Sequence, residues 1–131
     1  MVELHGWITL RESYESHSEE DRLKEIVTSI EQHIEKMNFK EDEIRLRHLN
    51  GVPNISIALY KNRETQEVRD VYELLKLIAK LAEGSYGLIY YHDDEDSNGK
   101  DNEFQVHILA QGIIKEGTDK FLSPLIPTVE K

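Results

Sequence analysis

The residues best equipped for chemistry lie in one stretch, His92-Asp93-Asp94-Glu95-Asp96-Ser97-Asn98-Gly99. From Asp94 to Gly99, oxygen-bearing side chains followed by a glycine match the first half of a calcium loop, which needs hard oxygen ligands at alternate positions and a sharp turn. The second half does not follow. Its twelfth position is Gln105, where a bidentate glutamate is needed, and the flanking patterns are those of strands. Glu103 is the one nearby residue that could complete an irregular site. Aspartate, asparagine and glycine are also what a long hairpin loop uses, so no metal ligand is assigned. The histidines at 5, 17, 33, 48, 92 and 107 include no pair four apart with an adjacent glutamate, the helical spacing of a zinc hydrolase. His92 beside Asp93 and Asp94 therefore reads as a partly buried structural imidazole. Ser13, Ser85 and Ser123 stand outside any Gly-x-Ser-x-Gly context, and no glycine-rich phosphate loop precedes a helix. No catalytic residue and no cofactor is expected.

The elements that hold this loop follow from hydrophobic period. Val2 to Arg11 reads as a strand, with Gly6 as a bulge or close-packing point and Trp7 in the core. Ser18-Glu19-Glu20-Asp21 resembles a capping box, and Leu23, Ile26, Val27, Ile30, Ile34 and Met37 then recur at helical spacing. Glu43–Leu49 and Val52–Tyr60 alternate as strands around Asn50-Gly51, the dipeptide of a two-residue type I′ hairpin. A second helix starts near Thr65 and runs to a stop at Gly84. Ser85–His92 and Phe104–Ile114 form the fourth and fifth strands, on either side of the acidic loop. The order β-α-β-β-α-β-β predicts a two-layer α+β sandwich: a mainly antiparallel five-stranded sheet, two helices on one face, and a ferredoxin-like core plus one strand. Residues 1–131 read as one domain. Residues 115–131 read as an extended tail, too apolar to hang in water and too rich in proline for a helix. Tyr90 and Tyr91 must point to opposite faces of the sheet, so one lies on the helix-free side, a second candidate binding surface.

Charge adds partner information. The 131 residues carry 26 acids and 16 bases, a net charge of −10, yet residues 12–21 and 93–103 hold −5 each. The other 110 residues are neutral in sum. Acids in a first helical turn are favoured by the helix dipole, which accounts for Glu19, Glu20 and Asp21. The loop at 93–103 has no such explanation. Affinity for nucleic acid comes mainly from lysine and arginine releasing phosphate counterions, so DNA and RNA are poor partners. The chain lacks cysteine, an amino-terminal signal pattern and any apolar run near the ~20 residues that span a bilayer. A cytoplasmic protein without a membrane role is the expectation, as a monomer or weak homodimer.

Several separated segments resemble the immunity protein 7 family of bacterial polymorphic toxin systems. They are His5-Gly6-Trp7 with Ile8, Arg11, Ser13 and Tyr14, then Asn50-Gly51, then Gly84-Ser85-Tyr86-Gly87-Leu88. Asn102-Glu103-Phe104-Gln105-Val106 closes the acidic loop, and Phe121-Leu122-Ser123-Pro124 with Ile126-Pro127-Thr128 ends the chain. The resemblance covers nearly all of the chain and implies an antitoxin, not an enzyme, that neutralises a cognate toxin by binding it. Concentrated carboxylates suit the basic active-site surface of such a toxin, a nuclease being one example, because they can occupy phosphate-binding lysine and arginine positions. The toxin-binding candidates are Asp93, Asp94, Glu95, Asp96 and Asp101, with Tyr91 as apolar anchor. The alternative is a small metal-dependent enzyme or calcium-binding module built on His92 and the Asp93–Asp101 loop. In a ferredoxin-like order the two acidic segments fall at opposite ends of the sheet.

Overall fold

The computed structural model describes residues 1–13 and 22–126. The capping box at Ser18–Asp21, Tyr14, His17 and the chain beyond Ile126 lie outside the described residues. Eight elements follow one another: β1 (Val2–Thr9), α1 (Leu23–Lys36), β2 (Ile44–Leu49), β3 (Val52–Lys61), α2 (Gln66–Leu81), β4 (Tyr86–Asp93), β5 (Gln105–Ala110) and β6 (Ile113–Thr118). The strands make one antiparallel sheet in the order β2-β3-β1-β4-β5-β6. Its first four strands have the split β-α-β order expected, and both helices pack on one face. No described helix is long and apolar enough to cross a membrane.

The sheet has six strands, one more than the sequence reading gave it. The fifth strand, read as continuous from Phe104 to Ile114, breaks at Gln111-Gly112, where φ values of 54° and 71° make a tight hairpin turn. The missed signal is weak: glutamine seldom occupies a left-handed position, whereas Asn50-Gly51, with φ of 54° and 81°, is the favoured pair and turns as expected. β6 takes up residues 115–118, so the tail leaves the sheet only after Thr118.

Period-two alternation decides what each strand buries. Val2, Leu4 and Ile8 of β1, Ile55, Ile57 and Leu59 of β3, and Ile89 of β4 are buried beneath Ile26, Val27 and Ile30 of α1 and Val68, Val71, Leu74, Leu75 and Ile78 of α2. Trp7, expected in the core, is instead 41% exposed. Its neighbours explain why: Leu4 and Ile8 claim the helix face, which leaves the odd-numbered residues of β1 on the other side. Gly6 is the close-packing point expected, since a Cβ there would lie 2.5 Å from the Leu88 carbonyl oxygen. Gly84 serves close approach as well, because a Cβ would lie 2.4 Å from the Ser13 backbone.

Candidate functional site

The acidic loop leaves β4 after Asp93 and returns at Gln105. Because β4 runs antiparallel to β1, Asp93 lies opposite Val2, and the loop starts beside the amino terminus. The Asp94 amide donates to the Met1 carbonyl oxygen at 3.2 Å, and the terminal ammonium pairs with the Asp94 carboxylate. The chain after β1 begins at the other end of the sheet, where Glu12 lies 3.6 Å from Arg22. The described part of the first acidic segment is thus remote from the loop, as the strand order requires.

His92 pins the loop from below. The imidazole is almost wholly buried; its Nε2 donates to the Asp101 carbonyl oxygen at 2.6 Å, and its Nδ1 meets the Glu3 carboxylate at 3.2 Å. Both ring nitrogens thus face partners within the protein. Glu3 also pairs with His5 Nε2 at 3.0 Å. Burial pushes the Glu3 carboxyl upward, but the hydrogen bonds from His5 and His92 outweigh it and hold the group below its ordinary 4.5. Phe104 closes the pin, packing against His92 at 5.7 Å and Tyr90 at 5.5 Å.

Inside the loop, three of the candidate carboxylates serve the loop itself. Asp93 accepts from the Glu95 amide at 2.9 Å, and Asp96 accepts from the amides of Asn98 and Lys100, both at 3.0 Å. Asp94 holds the amino terminus. These are side-chain turns that satisfy loop amides in place of a sheet ladder. Glu95 and Asp101 are exposed, and their carboxylates make no hydrogen bond or ion pair among the described residues. Among the described residues no three histidine, aspartate or glutamate side chains form a group that could hold a metal ion.

Tyr91 lies on the helix side of the sheet, half-buried, with its ring 6.3 Å from Tyr72. Burial, followed by the charges of Asp93, Glu64 and Asp96, pushes its hydroxyl up to about 12. It therefore lies near the loop acids while facing away from the open side, where Tyr90 stands. Next to it, His107 bridges the Tyr72 hydroxyl and Glu116, each at 3.1 Å. The residue that sequence reasoning passed over is Asn102. Its side-chain oxygen accepts from the amides of Leu125 and Ile126 at 2.8 and 2.7 Å, and its amide nitrogen donates to the Ile126 carbonyl at 2.7 Å. This one side chain ties the tail to the acidic loop. Its only signal was its place in the segment Asn102–Val106; the 23-residue separation from Leu125 hides the contact in the sequence.

A second carboxylate is braced in the same manner just before β2. Glu43 pairs with Lys61 at 2.8 Å and accepts from the Lys40 amide at 2.8 Å. Burial pushes Glu43 upward, and those partners more than reverse this, leaving it below 4.5. Both Glu3 and Glu43 thus prefer the charged form more when folded than when unfolded. Their stabilisation is complete above pH 4.5 and lost as pH falls through their lower folded values. Thermal melts from pH 7 to pH 3 are expected to show Tm dropping below pH 4.5, with a shallower drop for Glu43→Gln; equal pH slopes would show that Glu43 contributes nothing.

Fold and site together define a small two-layer α+β protein that presents a braced acidic loop. The family model for Immunity protein 7 matches residues 1–131, the whole chain, and the chain belongs to that family. No curated protein and no solved structure matches it.

Proposed function

We propose that this immunity protein is a cytoplasmic antitoxin that binds a cognate bacterial toxin, without catalysis of its own, and covers a basic active-site surface such as a nuclease presents. The observation that carries this reading is the division of labour within the loop. Asp93, Asp94 and Asp96 fold it, His92 and Asn102 brace it, and Glu95 and Asp101 are exposed, with no hydrogen bond or ion pair to their carboxylates among the described residues. A braced loop loses little conformational entropy on binding, which favours affinity at a given contact area. Negative charge displayed this way also accelerates encounter with a cationic partner. Tyr91, half-buried on the helix side beside the loop acids, is the apolar anchor of this reading.

The test uses the toxin encoded beside this protein, co-purified with it and then titrated. Glu95→Lys combined with Asp101→Lys is expected to weaken binding by about 100-fold, chiefly by slowing association at low salt. Unchanged affinity removes the loop from the interface. These two positions are better probes than Asp94 or Asp96, whose reversal would disturb the loop before it disturbed any contact. The cation-binding alternative predicts a rise in Tm on adding calcium or zinc, since a ligand of the folded state stabilises it; no rise is expected.

A further inference from the structure

Among the described residues no helix covers the second face of the sheet, although its loop end is buried at His92 and Val106, and strand register sorts its residues into rows. One row crosses all six strands as Arg45, Ser56, Trp7, Leu88, Ile108 and Lys115. The row beside it begins Arg47, Asn54, Thr9, Tyr86. Arg45 and Lys115 therefore stand on the two edge strands, about 24 Å apart at roughly 4.8 Å per strand. Between them the rings of Trp7 and Tyr86 meet edge to face at 6.0 Å, and Tyr86 and Ile108 are each 44% exposed. Grouped apolar side chains of this size mark contact surfaces, and exposed tryptophan and tyrosine are the usual anchors.

Charge on this face runs against the rest of the molecule. Among the paired strand residues that face away from the helices, the only carboxylate is Glu3, whose oxygens are taken by His5 and His92. Arg45, Arg47 and Lys115 supply the rest of the strand charge, while Asp119, just beyond β6, hydrogen-bonds Tyr90 at the loop end of the face. A chain of net charge −10 thus carries one face with an aromatic centre and a cationic rim. The face continues into the acidic loop, because Phe104, where the loop ends, packs on Tyr90 of the same face.

We propose that this open face is a second docking surface, and that it takes an apolar protein surface flanked by carboxylates on the same toxin whose basic region meets the acidic loop. The proposal rests on the toxin-binding reading above. A partner spanning both surfaces must be basic at the loop and acidic at the sheet, so the two surfaces together fix its orientation and reject proteins of uniform charge.

The experiment measures affinity of the full chain for the neighbouring toxin. Trp7→Ala is expected to weaken binding by about 30-fold or more, the usual loss for a central aromatic anchor. Arg45→Glu with Arg47→Glu is expected to weaken it by about tenfold, with the loss shrinking as salt is added. The arginines lie on the surface, so the double variant keeps the test valid should Trp7→Ala melt early. If both face variants bind within twofold of the parent while Glu95→Lys/Asp101→Lys loses affinity, the open-face proposal falls and the loop reading stands. If the parent chain does not bind the toxin, both fall. If the free protein is a dimer by light scattering and either face variant dissolves it, the face belongs to a second copy and the proposal is overturned.

Discussion

Gly87→Ala should unfold or nearly unfold the protein, with Tm expected to drop by more than 10 °C if folding survives. Gly87 sits opposite Ile8 in the β1–β4 ladder, where a Cβ would lie 2.1 Å from the Trp7 carbonyl oxygen and 2.7 Å from the Ile8 Cα. Neither is the far end of a flexible side chain. Relief requires the two strands to separate, and β1 and β4 are the middle pair of the six. Overpacking a core usually costs about 1–3 kcal/mol, and a backbone clash lies at or above the top of that range. Against a total stability of about 5–15 kcal/mol this is a large share. Gly117 is the control, for nothing lies within 4 Å of a Cβ there. Equal melting of Gly87→Ala and Gly117→Ala would show that β1 and β4 do not approach so closely.

The second large effect is expected from His92→Ala. The substitution empties a buried site, leaves the Asp101 carbonyl without its donor and removes one of the two histidines that hold Glu3. Loss of buried hydrogen-bond partners together with the cavity should cost about 2–4 kcal/mol, lowering Tm by roughly 10 °C. Local stability should suffer more than global stability, because the imidazole ties the loop to the sheet. Amide exchange at Asn98 and Lys100 is expected to speed up ahead of the amides of β1 and β3. If binding uses the loop, toxin affinity should fall in the same variant although His92 itself is buried. Native exchange in the loop with an unchanged melting curve would mean that His92 is not its anchor.

These two positions also show where sequence reading reached and where it stopped. Gly87 stood within the recognised segment Gly84–Leu88, yet its close approach to Trp7 across the ladder depends on a register no local pattern reports. His92 was read as structural from the absence of a second ligand. The carboxylate it meets, that of Glu3, lies 89 residues away. Trp7 was misplaced because tryptophan is usually well buried, whereas its face was already determined by Leu4 and Ile8 under strict alternation. The sixth strand was missed because Gln111-Gly112 is a poor advertisement for a turn.

The sequence by itself determined the two helices, the Asn50-Gly51 hairpin, the antiparallel α+β class, the concentration of charge in residues 93–103 and membership of an immunity protein family. The family rests on the resemblance of separated segments; the others rest on short-range physics: hydrophobic period, turn chemistry and the spacing of charges along the chain. Only the tertiary structure decided which acids build the loop and which stay exposed, that His92 and Asn102 brace it, and that Arg45 and Lys115 share a row with Trp7 on the face away from the described helices. Strand order and register bring those groups together, and register is an agreement between distant segments that neither one encodes alone.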